Sequence, residues 1–302
     1  MITINDRIHG CLLGLAIGDA MGAPIEFKAP GTFEPVNGYR SSPVHNLNPG
    51  EWTDDTSLAL CLADSLIQCK GFDPEDQMQR YLRWYREGYL SINGKCFDIG
   101  NTTREALQCF ERTHNPYCGP DHEYSTGNGS LMRIAPIPIY FRHSIDETVK
   151  YAALSSRTTH QHPLAVESCQ VMACLIQGAL EGVKKDDLLS PDYLPQMKFH
   201  REIKEVVDGS YKRFEPPYIR GSGYVVKSLE ASLWAFYNSS NFKDGCLLAV
   251  NLGEDSDTTG AIYGQLAGAY YGKDNIPSDW VKDLAQKKLI ETFIIDLISY
   301  DR

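Results

Sequence analysis

Residues 5–23 read NDRIHGCLLGLAIGDAMGA, and residues 258–272 read TTGAIYGQLAGAYYG. In the first, Ile8, Cys11, Leu12, Leu15 and then Asp19 return at three- and four-residue spacing, the repeat of a helix and not of a strand. Both stretches carry a glycine at every fourth position: Gly10, Gly14, Gly18 and Gly22 in one, Gly260, Gly264, Gly268 and Gly272 in the other. Glycine costs a helix about 1 kcal/mol relative to alanine, so four in register need a compensating gain. A glycine ridge lets another backbone come close. The expectation is that the two ridges pack against each other, with chance recurrence as the alternative. Neither stretch is the apolar twenty-residue span in which such spacing marks membrane-helix association.

The helical repeat continues outward, in TSLALCLADSLIQC at 56–69 and at 75–90, 102–112, 146–154, 164–181, 225–238 and 241–251. Residues Ile134 to Phe141 alternate, but their prolines argue against a strand. An all-α bundle follows, with one domain over residues 1–302, since no repeat, low-complexity segment or linker interrupts the chain. Polar and turn residues gather at 24–52, 91–101, 113–130 and 183–223, the last reading as an extended loop with one short helix.

A chain of 302 residues can bury a large core, and 42% hydrophobic with 23% charged residues is ordinary for a globular protein. A net charge of -10 argues against a general nucleic-acid or anionic-membrane binder, which needs a basic face. It leaves room for a phosphate-bearing ligand held by amides or metal ions. Nine cysteines form no CxxC pair, and Cys11, Cys61, Cys69, Cys169 and Cys174 sit in apolar helical patterns as small hydrophobes. A reducing compartment is the plain expectation. The start MITINDRIHG lacks a basic region followed by an apolar stretch, and the run Cys11 to Ile17 is too short to cross a bilayer. The expected location is the cytoplasm.

Two acidic motifs open helices. Trp52-Thr53-Asp54-Asp55-Thr56 precedes one, and Glu254-Asp255-Ser256-Asp257-Thr258-Thr259 precedes the other. Simple N-capping would explain a single Asp, Ser or Thr at each start. Each motif offers three or more oxygen-bearing side chains, and hard divalent cations want several such ligands. Spacing alone leaves capping and metal binding open.

The motifs together resemble the ADP-ribosylglycohydrolase family, most of all its arginine-specific bacterial branch. Matching stretches run in the family's order: GCLLGLAIGDAMGAPIEF at 10–27, WTDDT at 52–56, FDIGNT at 97–102, GNGSLMR at 127–133, RTTHQHPL at 157–164, FEPPYIRGSGYVV at 214–226 and NLGEDSDTTGAIYGQLAGAYYG at 251–272. TDDT with DSDTTGA is the specific combination. The resemblance implies a compact orthogonal helical bundle and a binuclear centre of two Mg²⁺ or Mn²⁺ ions. Its ligands fall on Thr53, Asp54 and Asp55, and on Asp255, Asp257 and Thr258, with no position substituted.

The same resemblance assigns other roles, each with a plainer alternative. Glu26 falls on an active-site glutamate borne by a mobile loop; the alternative is a solvated loop carboxylate. Asp98 falls on an aspartate suited to a guanidinium and to proton transfer at the scissile bond; the alternative is a turn or cap. Gly127, Asn128, Gly129 and Ser130 fall on a loop that cradles pyrophosphate, where a GNG turn is the common meaning. Arg133 would add charge or brace that loop. His160 and His162 fit no zinc spacing; His160 falls on a substrate contact near the distal ribose or phosphate, and Tyr224 on the rim beside the leaving group. The implied reaction is hydrolysis of the bond between ribose C1 and an arginine guanidinium on an ADP-ribosylated protein, releasing ADP-ribose, with Asp55 at the metals and Asp98 and Glu26 sharing proton transfers. Another ADP-ribosyl linkage (serine, nucleobase, small conjugate), a non-catalytic relative and a binding antidote to an ADP-ribosyltransferase are the rivals.

Overall fold

The computed structural model describes residues 2–299, and among them no strand occurs. Fourteen helices follow one another: α1 (Ile4–Gly22), α2 (Asp54–Cys69), α3 (Pro74–Glu87), α4 (Asn101–Thr113), α5 (Pro136–Tyr140), α6 (Ile145–Arg157), α7 (Pro163–Glu181), α8 (Lys185–Leu188), α9 (Arg201–Val207), α10 (Val225–Tyr237), α11 (Phe242–Val250), α12 (Ser256–Tyr271), α13 (Ser278–Asp283) and α14 (Lys287–Ser299).

The centre of the bundle is the α1–α12 pair, and the two glycine ridges face each other as expected. A Cβ at Gly10 would lie on the Gly268 carbonyl, one at Gly14 on Gly264, one at Gly18 on Gly260 and one at Gly22 on Ser256. As one index rises the other falls, so the helices run antiparallel in backbone contact. The dispersion and burial gained there offset the glycine penalty. Arg7 fastens the far end of the pair by donating to the carbonyl of Ala269 at 3.0 Å and to that of Tyr270. By length and composition Ile4–Ile25 and Pro163–Glu181 could each cross a membrane, but 94% and 83% of their apolar windows are buried in this core.

Several boundaries differ from the sequence reading. The helix expected to reach residue 90 ends at Glu87, because Gly88 adopts a left-handed conformation with φ 70°. Residues 134–141, with their prolines, contain the short helix α5, whose Pro136 occupies a first-turn position. The 183–223 segment holds α8, α9 and a 3₁₀ turn at Ser210–Lys212, pinned by burial of Leu188, Ile203, Val206 and Tyr211. Helices α13 and α14 lie beyond the segments expected to be helical. The signal for α14 was present in Ile290, Ile294 and Leu297, its buried face at i, i+4 and i+7. Cys109 and Cys118 are joined in a disulfide, and Cys69 is exposed at the end of α2 and does not lie in the core.

Candidate active site

Antiparallel packing of α1 on α12 brings the C-terminal end of α1 against the N-terminal end of α12. The N-terminus of α2 joins them through Asp19. This fully buried α1 carboxylate accepts from the Thr53 amide at 2.9 Å, the Thr53 hydroxyl at 2.9 Å, the Thr56 amide at 3.0 Å and the Thr56 hydroxyl. A residue from another helix thus accepts from the N-cap amide and from the third amide of α2. Neither Thr53 nor Asp255 caps its own helix through its side chain, so capping does not account for the acidic motifs.

What remains is a dense set of carboxylates. Asp19, Asp55 and Asp257 each bring an oxygen within 4.8 Å of the others, as do Glu26, Asp255 and Asp257. The single hydroxyl of Thr53 faces Asp19 at 2.9 Å, Asp55 at 3.2 Å and Asp257 at 3.4 Å, three acceptors for one proton. Thr258 stands 3.4 Å from Asp55. The Oδ1 atoms of Asp55 and Asp257 are buried without a hydrogen-bond partner. Buried anionic oxygens left this way are costly unless a cation meets them. The donor set of hard oxygens from Thr53, Asp54, Asp55, Asp255, Asp257 and Thr258 therefore fits Mg²⁺ or Mn²⁺.

Electrostatics point the same way. Burial first, then repulsion from neighbouring carboxylates, raises Asp54, Asp55 and Asp257 well above the usual carboxylate range. Burial raises Asp255, against the opposing bond from Asn128. Glu26 is pushed up to about 8 by burial and then by Asp255 and Asp19. Asp98 is pushed to about 8 by burial and then by Glu26, with His45 opposing. Asp19 reaches about 6 through burial despite its threonine donors. So many carboxylates cannot all stay ionised near neutral pH without added positive charge, and among the described residues no lysine or arginine lines the cleft.

The cleft has a volume of about 720 Å³. Asp54, Asp255, Thr258, Glu26 and Asp98 line it; Thr53, Asp55 and Asp257 are not among its lining residues. The Glu26 loop is tied to the α12 entry by two backbone bonds, Phe27 to Glu254 at 2.6 Å and Glu254 to Lys28 at 2.8 Å. Gly127, Asn128, Gly129 and His160 line the cleft, and the Asn128 amide donates to Asp255 at 2.7 Å and to Ser228 at 2.8 Å. The glycine turn is thereby fastened to the second acidic motif.

Two expected contacts are absent from the cleft lining. Ser130 lies beneath the turn, its hydroxyl shared with Ser156 at 2.9 Å, because the following residues Leu131 and Met132 turn back onto the Asn128 carbonyl. Tyr224 pairs backbone to backbone with Gly127, and its hydroxyl donates to Glu202 at 2.7 Å; Ser222 and Gly223 line the cleft instead. Arg133 is a brace. It is fully buried, stacks 4.3 Å over the Tyr81 ring and donates to the Thr159 hydroxyl at 2.6 Å.

That brace reaches His160. The Thr159 oxygen accepts from Arg133 and is hydrogen-bonded to His160 Nδ1 at 2.8 Å, which holds the ring with Nε2 toward the glycine turn. Burial and then Arg133 lower His160 to about 3 and keep it neutral. Sequence reasoning did not single out Asp19 or His45 as parts of the site. A lone carboxylate in the apolar run of α1 was a signal for Asp19; nothing local distinguishes His45.

A family model for ADP-ribosylglycohydrolase matches residues 1–301, and the chain belongs to that family. It is an enzyme of the glycosidase-type hydrolases. An ADP-ribosylarginine hydrolase of Pseudomonas putida is 43% identical over 295 residues, spanning 97% of this chain and 78% of the relative. One of the same description from Serratia proteamaculans is 40% identical over 285 residues, spanning 94% and 77%. The ADP-ribosyl-(dinitrogen reductase) glycohydrolase of Rhodospirillum rubrum is 30% identical over 291 residues, spanning 94% and 92%. A solved structure described as an ADP-ribosylglycohydrolase-related protein complex superposes with a TM-score of 0.89 at 42% identity, over the whole of both chains.

Proposed function

We propose that this chain hydrolyses the N-glycosidic bond of ADP-ribosylated arginine on proteins, releasing ADP-ribose and restoring the side chain. The observation that carries the reading is the meeting of Glu26 and Asp98 with the two acidic motifs in one cleft. A wall so rich in carboxylates favours a cationic guanidinium over a neutral serine oxygen as the group beside ribose C1. The names of the relatives at 43% and 40% identity agree with it.

Two Mg²⁺ or Mn²⁺ ions held by Thr53, Asp54, Asp55, Asp255, Asp257 and Thr258 would supply positive charge for the ribose hydroxyls and a water of lowered pKa. The chain's own residues do the rest. The turn at Gly127–Gly129 and the Nε2 edge of His160 hold the pyrophosphate. As the bond from C1 to the guanidine nitrogen breaks, its electron pair goes to nitrogen and Asp98 delivers a proton to that nitrogen. The attacking water forms the new bond to C1 and gives its proton to Glu26, the two carboxylates sharing these transfers. Asp98→Asn keeps the size and removes the acid, so kcat should fall roughly 100-fold or more; wild-type turnover in that variant would discard the role.

A Cβ at Gly129 would meet His160 Cε1 at 3.0 Å and Thr103 Oγ1 at 3.2 Å. Gly129→Val should therefore weaken ADP-ribose binding about tenfold, seen by calorimetry, with a much smaller change in Tm. Unchanged affinity would move the pyrophosphate elsewhere.

The deciding experiment is release of ADP-ribose from an arginine-linked protein, with and without Mg²⁺ or Mn²⁺, beside a serine-linked control. Metal-dependent release from arginine alone is expected. Release from serine alone would keep a hydrolase and overturn the linkage.

A further inference from the structure

We propose that His45 is a positioning residue, its imidazole tying Glu26 to Asp98 and setting the spacing of the two carboxylates that share the proton transfers. This rests on the roles given to those carboxylates above. His45 Nε2 is hydrogen-bonded to Glu26 Oε2 and stands 3.4 Å from Asp98 Oδ2. One nitrogen thus faces two carboxylates borne by chain segments about seventy residues apart. The ring is held by two aromatic neighbours, Phe27 with centroids 6.3 Å away and Phe97 with centroids 5.5 Å away. Phe27 follows Glu26 and Phe97 precedes Asp98, so each segment contributes one carboxylate and one ring to the same imidazole.

The clamp has work to do. Adjacent carboxylates repel, and an imidazole hydrogen-bonded to one and in ion-pair contact with the other offsets that repulsion. Asp98 and Phe27 both occupy the left-handed region, at φ 60° and 63°, where a non-glycine backbone is disfavoured and relaxes unless surrounding contacts hold it. The turn that delivers His45 does not depend on its ring. Ser42 and Leu47 exchange two backbone bonds of 3.0 Å, and the Ser42 hydroxyl donates to the Ala23 carbonyl at 2.8 Å. Removing the imidazole therefore leaves the turn docked and frees the carboxylates to separate. A displacement of about 1 Å at such a site costs on the order of 100-fold in rate.

The test is steady-state kinetics on the arginine-linked substrate, with Tm and bound-metal stoichiometry measured on the same metal-loaded proteins. His45→Ala should lower kcat about 30- to 100-fold while KM changes less than about threefold, with Tm and metal content unchanged. His45→Gln, whose amide N–H can replace Nε2–H, should recover kcat to within about tenfold of wild type. A kcat within about threefold of wild type in His45→Ala overturns the proposal, as does a loss that glutamine does not recover or a fall in metal content. Glu26→Gln and Asp98→Asn are run alongside. Full turnover in both would remove the reading beneath the proposal; loss in both with His45→Ala unaffected would remove the proposal alone.

Discussion

Asp55→Ala should lower turnover of the arginine-linked substrate by about 10³-fold or more at saturating Mg²⁺ or Mn²⁺, roughly 4 kcal/mol of barrier. Asp55 is the carboxylate toward which both motifs turn hydroxyls, Thr53 from its own and Thr258 from the other, and its Oδ1 is buried without a partner. Its stability effect should have the opposite sign. Glu26 and Asp98 titrate near 8 and Asp19 near 6, all above the value of about 4 for an unfolded carboxylate. Folding therefore favours their protonated forms. The stability they contribute is whole below about pH 4 and is lost as pH rises through 6 and then 8. In EDTA the Tm should fall between pH 5 and pH 8, and Mg²⁺ or Mn²⁺ should reverse the fall by binding the native state. Metal-free Asp55→Ala, relieved of one carboxyl group buried among other carboxylates, should melt above metal-free wild type at pH 8. Differential scanning fluorimetry across that range checks all three. A Tm indifferent to both pH and metal would sink the account of the acidic cluster, and full turnover in Asp55→Ala would remove that residue from it.

Gly264→Val should be severely destabilising, costing more than about 4 kcal/mol and lowering Tm by about 10 °C or more, or preventing folding outright. A Cβ at Gly264 would lie on the Gly14 carbonyl, and that atom cannot move aside as a flexible side chain could. The helices would have to separate. Since α1 carries Asp19 and leads into Glu26, and α12 opens on Asp257 and Thr258, the site would come apart with them. Gly38 meets nothing within 4 Å, so Gly38→Ala is the matched control and should leave Tm within about 2 °C. Thermal melts of the two variants decide the matter. An unchanged Tm in Gly264→Val would mean the ridges do not bear on each other.

Much of this was legible in local spacing. Ile8, Cys11, Leu12 and Leu15 declared α1 a helix, and the four-residue glycine period declared a close helix–helix contact. Thr53-Asp54-Asp55 and Asp255-Ser256-Asp257-Thr258 offered more oxygens than one cap uses but left capping and metal binding open, and in the structure neither Thr53 nor Asp255 caps its helix through its side chain. These signals were readable because each arises within a few residues of chain: a helical face, a ridge, a cluster at a helix start.

The partners across the fold were not readable that way. Asp19 meets the start of α2 from another helix, Arg133 reaches His160 through Thr159, and His45 meets Glu26 and Asp98 from within a long loop. Ser130 and Tyr224 sit in matching motifs, yet one is drawn beneath its turn and the other toward Glu202. By itself the sequence indicated the fold class, most of the long helices, a candidate contact between α1 and α12, and two acidic helix starts. Only the tertiary structure decided which side chains face the cleft and which brace it, because hydrogen-bond choice and burial depend on neighbours brought close from distant chain, and local periodicity specifies a face without naming what lies against it.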